Sequence, residues 1–285
     1  MATISDRPRR PGPTIRVSVR ELTSTRDVEH EDRLATEEPL EIRLAWPGVP
    51  AHRVWVTMRT PGHDFELAAG WLVHEGIAAP GSIQGVAYCV DAELEPEEEF
   101  NVVTVTLSAP PARDPGHRHT GQSSGSSACG VCGKDSVADA LDVPLGPRWS
   151  GPHPAPDVVR RLPTLLREHQ QVFSRTGGVH AAGLATASGD LQVCREDVGR
   201  HNAVDKVTGA RVLAGLSPAE ACLVVSGRAG FELAQKAVAA GIGTLVAVGA
   251  PSSLAVRLAE RSGLRLYGFT SEDRCVLYPQ GNGPV

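Results

Sequence analysis

The sequence predicts an α/β protein, with a layered C-terminal α/β unit over residues 149–285 and a smaller mixed α+β domain over residues 36–148. Three observations carry this. From about residue 180 onward, short apolar runs alternate with segments of helical periodicity, which argues for parallel strands joined by helices. Between "PLEIRLAW" and "FNVVTVTLS", alternating apolar residues mark strands around one helical stretch. The Pro/Gly-rich "GPRWSGPHPAP" places a boundary near residue 150.

Taken in order, residues 1–35 are rich in Arg, Pro, Asp, Glu and Thr and read as mostly disordered. "PLEIRLAW" and "HRVWVTMRT" are expected strands. "HDFELAAGWLVHEG" is an expected helix, with Phe65, Ala68, Ala69 and Leu72 on one face and Gly76 as its stop. After the strand "FNVVTVTLS" comes "APPARDPGHRHTGQSSGSSA", a long loop without apolar period that is expected to be mobile. It leads into "CGVCG" and a short helix, "KDSVADALDV". In the second unit, "VVRRLPTLLREHQQVF" reads as a helix that Pro163 can kink. "GVHAAGLATASGDLQVCRED" reads as a hairpin turning at Ser188-Gly189-Asp190. A helix over 202–214, strand "ACLVVS", helix "FELAQKAVAA", strand "TLVAV", helix "SLAVRLAERS" and strands "LRLYGF" and "CVLY" complete the chain.

Composition narrows the function. The 285 residues are 41% hydrophobic and 21% charged, sufficient for a large core without disulfide staples. A net charge of -5 gives no basic field for nucleic acid. The N-terminus shows no secretory apolar region and no run approaches membrane-spanning length, so a cytoplasmic location away from membranes is expected.

Three places could carry chemistry. The first is the pair Cys129 and Cys132. A zinc site would need two further ligands, for which His117 and His119 are the nearby candidates, and there is no second C-x-x-C. A redox pair would want a strand immediately before it. Thiolate nucleophilic chemistry would be favoured by a helix N-terminus and by Lys134. The second place is "REDVGRHNAVDK", where Arg200 and His201 stand at a strand-to-helix turn, either a ligand site or a solvated, capped turn. The third is "SGRAG", whose backbone amides, with Ser226 and Arg228, could hold a phosphate; "GAPSS" repeats the arrangement one unit later. His180 invites comparison with zinc deaminases, but Ala182 stands where their essential Glu would be, and the C-x-x-C precedes the His.

Together, "CGVCG", "VHAAGL", "REDVGRHNAVDK", "SGRAGFELAQKAV", "SSLAVRLAE" and "LYGF", with "FELAAGWLVHEGI" upstream, resemble the FdhD family of formate dehydrogenase accessory sulfurtransferases over roughly residues 36–278. The resemblance implies a cytidine-deaminase-like layer sandwich in the C-terminal unit, a cytoplasmic homodimer and no permanently bound metal. It implies that sulfur passes from a cysteine desulfurase to the molybdenum of bis-molybdopterin guanine dinucleotide, required by the formate dehydrogenase catalytic subunit. Carried over, Cys129 is the persulfide-bearing residue and Cys132 assists or shares sulfur. The family's cofactor-binding stretch falls on Phe269, Thr270, Ser271, Glu272, Asp273 and Arg274. Two departures stand out: Glu272 and Asp273 occupy places where the family usually has glycine or neutral residues, and the basic tail containing His-Pro is missing. A non-catalytic cofactor chaperone and a zinc-binding interaction module are the rival expectations.

Overall fold

The computed structural model describes residues 10–89, 100–115 and 143–280, so the helix expected from "KDSVADALDV" lies outside the described residues. Among the described residues the strands form three sheets.

The first is a correction. Residues 14–35 are not disordered but pair as an antiparallel hairpin of β1 (Thr14–Leu22) and β2 (Asp27–Ala35), with Thr14 opposite Ala35. Composition reads the many charges as solvation, yet Ile15, Val17 and Val19 alternate and opposite charges face each other across the pair. Arg20 meets Asp27 at 2.6 Å and Arg16 meets Glu31 at 3.3 Å.

The second sheet runs in the order β4-β3-β6-β5, from β3 (Glu38–Trp46), β4 (Val49–Arg59), β5 (Ile83–Tyr88) and β6 (Val102–Leu107). Helix α1 (Asp64–His74) buries Leu67, Trp71 and Leu72 against Leu40, Ile42, Val103 and Val105 of its strands. Gly76 follows α1 with φ +67, the left-handed stop expected there.

The third sheet has the order β12-β11-β10-β9-β7-β8. Its elements are α2 (Pro156–Glu168), α3 (Gln171–Thr176), β7 (His180–Ala185), β8 (Leu191–Asp197), α4 (Arg200–Leu213), β9 (Cys222–Val225), α5 (Phe231–Ala240), β10 (Thr244–Ala247), α6 (Ser253–Ser262), β11 (Arg265–Gly268) and β12 (Val276–Leu277). The expected parallel strands are β9, β10 and β11; β7, β8 and β12 join antiparallel at either side. Side chains alternate between two cores. Leu223, Val225, Leu245 and Leu266 face α4, α5 and α6, while Cys222, Val224, Val246 and Tyr267 face Val159, Leu162 and Leu166 of α2. Burial on both faces explains why these strands read as continuous apolar runs. Residues before α2 also lie on this unit: Gly146 N–H donates to the Val238 carbonyl (3.2 Å) and His153 Nδ1 lies 3.0 Å from Thr244 Oγ1.

Helices α1 and α4 join the two larger sheets with almost nothing between their backbones. A Cβ on Gly70 would overlap the Asp205 carbonyl, and one on Gly209 would overlap that of Glu66. Around the crossing the seam is polar and buried. Lys206 Nζ binds Asp197 Oδ2 (2.6 Å) and the Thr60 carbonyl (2.9 Å), while Asn202 Nδ2 donates to the Met58 carbonyl (2.8 Å). Asp205 accepts from Lys236 Nζ (2.7 Å) and His74 Nδ1 (2.5 Å).

Candidate functional site

A cleft of about 890 Å³ opens at the C-terminal ends of β9, β10 and β11, the edge where open α/β sheets bind ligands. Ser226 follows β9, Val248 follows β10 and Thr270–Asp273 follow β11; α2, α3 and the start of β7 form the opposite wall.

The segment after β11 is held by its neighbours. Phe269 N–H donates to the Gly249 carbonyl (3.1 Å) and Thr270 N–H to that of Ala247 (3.2 Å). Phe269 takes φ +50, a conformation that costs a non-glycine residue energy and persists only where the surroundings impose it. Its exposed ring carries the Arg274 guanidinium 5.4 Å from its centroid. Ser271 and Arg274 close a turn between their backbones, and Glu272 Oε1 accepts from Thr164 Oγ1 of α2 at 2.7 Å.

Thr270 and Gln170 are 2% and 4% exposed, yet Thr270 Oγ1 and Gln170 Nε2 find no hydrogen-bond partner among the described residues. Both residues line the cleft. A buried polar atom without a partner is costly, and a ligand is one way to satisfy it. Beside them Arg167 lies 4.0 Å above the Phe173 ring, and Phe173 is itself fixed because Glu196 accepts the N–H groups of Val172 and Phe173, both at 2.8 Å. His180 lines the same wall. Burial, with the positive charges of Arg200 and His201 nearby, holds its pKa below the usual histidine value, so the ring is neutral at pH 7.

The structure therefore brings together Ser226, Thr270, Ser271, Glu272 and Asp273 of the expected binding residues, with Phe269 and Arg274 flanking them in the chain. It does not place Arg200, His201 or Arg228 in the cleft wall. His201 Nε2 is committed to Glu232 Oε2 at 2.8 Å, Arg200 opens α4, and Arg228 is exposed beside Gly249. The two βα turns do run side by side, with Gly249 N–H bonded to the Gly227 carbonyl (2.9 Å) and Ser252 N–H to that of Ala229 (3.0 Å). The cluster "REDVGRHNAVDK" splits its work. Asp197, Asn202, Asp205 and Lys206 build the seam, and Arg195 grips Glu66 of α1 at 2.5 and 2.7 Å. Gln170, Arg167 and Phe173 carried no sequence signal as site residues: Gln170 stands in the break between α2 and α3, and Arg167 and Phe173 lie on the helices either side of it.

Cys129 and Cys132 lie outside the described residues, as do His117 and His119. Both ends of that segment rest at the foot of α1: Ala112 N–H donates to the Ile77 carbonyl (2.9 Å), and Pro144 packs by Gly76. Among the described residues no three His, Cys, Asp or Glu side chains gather as metal ligands, and no helix is long and apolar enough to cross a membrane.

A sequence model of the FdhD/NarQ family matches residues 35–282. The chain belongs to the FdhD/NarQ family. Among its relatives, the sulfur carrier protein FdhD of Streptomyces coelicolor is 49% identical over 242 residues, 84% of each chain. That of Mycolicibacterium paratuberculosis is 45% identical over 272 residues, covering 94% of this chain and 98% of its own. A solved structure of a Desulfotalea psychrophila protein, described as a formate dehydrogenase accessory protein, shares the fold: TM-score 0.70, 22% identity, 93% of this chain and 96% of that one. The family match takes in both larger sheets and starts at the end of β2, so the N-terminal hairpin lies almost wholly beyond it.

Proposed function

We propose that the chain is a sulfurtransferase that carries sulfur on Cys129 from a cysteine desulfurase to the molybdenum of bis-molybdopterin guanine dinucleotide, on behalf of formate dehydrogenase. The observation that carries this is a C-x-x-C pair in a chain that aligns along most of its length with sulfur carrier proteins. In the loading step, the Cys129 thiolate attacks the outer sulfur of the donor's persulfide. A sulfur–sulfur bond forms at Cys129, the donor's own sulfur–sulfur bond breaks, and the donor cysteine leaves as thiolate. Cys132 assists or shares the sulfur.

The cofactor is the acceptor, and it supplies the metal that takes sulfur. The cleft suits it: Thr270 and Gln170 offer unsatisfied polar atoms, Ser226 and Gly227 border the strand ends, and Phe269–Arg274 form the rim. Arg200, which opens α4, and Arg228, beside Gly249, would meet phosphates extending beyond the cleft. A cytoplasmic homodimer with a cytidine-deaminase-like C-terminal layer, holding no resident metal, completes the proposal.

The test is intact-mass spectrometry after incubation with a cysteine desulfurase and cysteine. Gain of one sulfur atom's mass, mapped to Cys129 and lost in Cys129→Ala, is the expected result. The second reading is a chaperone that binds the cofactor without carrying sulfur; the cleft favours it because cofactor binding there needs no thiol. It gains if both cysteines prove dispensable for formate dehydrogenase activity.

A further inference from the structure

The hairpin β1–β2 pairs with neither larger sheet, and no residue of its two strands is buried. A two-stranded ribbon alone is marginal in water and gains from something packed on a face. Its register defines the two faces. Ile15 stands opposite Leu34, Val17 opposite Asp32, Val19 opposite His30 and Glu21 opposite Val28, so these side chains share one face. Ile15 and Leu34, at its root, are 49% and 43% exposed, and Val17, Val19 and Val28 continue the apolar surface toward the tip. The other face carries the ion pairs Arg16–Glu31 and Arg20–Asp27. It is this charged face that roots on the body: a Cβ on Gly178 would lie 3.5 Å from that of Ala35. The apolar face is left to solvent, the reverse of an ordinary amphipathic ribbon, and a contiguous exposed apolar face marks an interaction surface.

Charge and shape identify what covers it. The apolar face holds two carboxylates, Glu21 and Asp32, and no Lys or Arg. Glu21 reaches His30 on the same face at 3.4 Å, whereas Asp32 accepts the Arg33 N–H (2.7 Å) and has no ion pair among the described residues. A second copy laid face to face would set carboxylates against carboxylates with only histidines between them. Apolar residues flanked by Lys or Arg would satisfy both features. Nine residues per strand give the ribbon about 30 Å of length, and two strands about 10 Å of width. That is the footprint of one helix of about 20 residues. Strand addition would use the ribbon's edges and leave this face uncovered. We infer that the β1–β2 hairpin is a docking arm for a basic amphipathic helix of a partner protein, seated on Ile15, Val17, Val19, Val28 and Leu34 with Glu21 and Asp32 engaging its Lys or Arg. The family match starts at residue 35, so the arm lies outside the matched body, and the inference does not depend on what the cleft binds. Gly178 also lines the cleft, so a partner held on the arm stands beside it.

The experiment is fluorescence anisotropy of a labelled Lys/Leu peptide of about 18 residues, its leucines at helical spacing, titrated with the full chain. A Glu/Leu peptide of the same pattern is the comparison. The Lys/Leu peptide is expected to bind about tenfold or more tightly than the Glu/Leu peptide. Ile15→Thr/Val17→Thr/Val19→Thr keeps β-branched residues in the strand and is expected to weaken the Lys/Leu peptide about tenfold, with the urea midpoint of the body unchanged. Glu21→Lys/Asp32→Lys is expected to do the same, whereas Glu168→Lys/Glu260→Lys, an equal change of charge at exposed positions away from the arm, is expected to leave binding intact. The inference is overturned if neither peptide binds, if both bind equally, or if the arm variants bind like wild type. It is equally overturned if sedimentation shows a wild-type dimer that the threonine variant dissociates, since a second copy then covers this face.

Discussion

Lys206 shows what a buried charge does in this chain. At 1% exposure its ammonium binds Asp197 of β8 and the Thr60 carbonyl beyond β4, tying the four-stranded unit to the six-stranded one. Lys206→Met leaves Asp197 buried without its cation and is expected to cost about 3–5 kcal/mol, read from the urea midpoint. Glu66 gives the junction a pH dependence. Burial alone would raise its pKa, but hydrogen bonds and charge from Arg195 and His63 more than offset this and hold it at about 2, against an ordinary 4.5. Its folded pKa is the lower one, so the stabilisation is complete above pH 4.5 and disappears as pH falls toward 2. Glu66→Gln is expected to flatten that acid limb in a series of urea midpoints between pH 5 and pH 2. His74 adds acid sensitivity of the same sign: burial lowers its pKa, keeping the ring neutral beside the Asp205–Lys236 pair.

Among the elements, α3 shows how a short helix can matter more than its length. It has six residues, and its first turn is held by the Glu196 carboxylate on Val172 and Phe173. Glu196→Ala is expected to cost about 1 kcal/mol of stability, the usual scale for a lost cap. Thermal melting of the two chains is the readout. These elements also mark how far the sequence was legible. Strands β3–β4 and β6–β12 and helices α1 and α4–α6 were plain because their apolar spacing or continuous apolar runs reflect which faces are buried. The hairpin β1–β2 was missed because its alternation lies beneath dense surface charge. The single helix read over residues 158–173 runs through Pro163 but breaks at Gln170, where no turn signal stands. The same difference decided the site. Ser226 sits at a strand end that periodicity locates and the residues after β11 came from the family resemblance, whereas Gln170 and Phe173 reach the cleft only through three-dimensional packing. Lys206 and Asp197 stood out in the sequence as a polar cluster, but their burial at a junction has no local signature.

Over the whole molecule, the glycine-to-carbonyl approach of α1 and α4 and the buried polar seam make one cooperative body of the two larger sheets. Circular dichroism and tryptophan fluorescence are expected to report a single, coincident urea transition. The described chain departs toward Cys129 and returns from it at the foot of α1. The returning segment bonds to the end of α5, just ahead of β10, whereas the cleft lies at the far end of β10. Thirteen residues lie between Pro115 and Cys129, and the fourteen residue steps span at most about 50 Å when fully extended. If sulfur is delivered to the cleft, shortening residues 116–128 by half is expected to spare loading of Cys129 and to abolish transfer. The seam makes that span matter. A protein built as two halves on a hinge could bring donor and acceptor together by closing like a clamshell. With the backbones of α1 and α4 in contact this one has no such stroke, and its scattering profile should be unchanged by nucleotide. The frame is fixed, so if sulfur is delivered to the cleft, the frame sets the distance it has to cover.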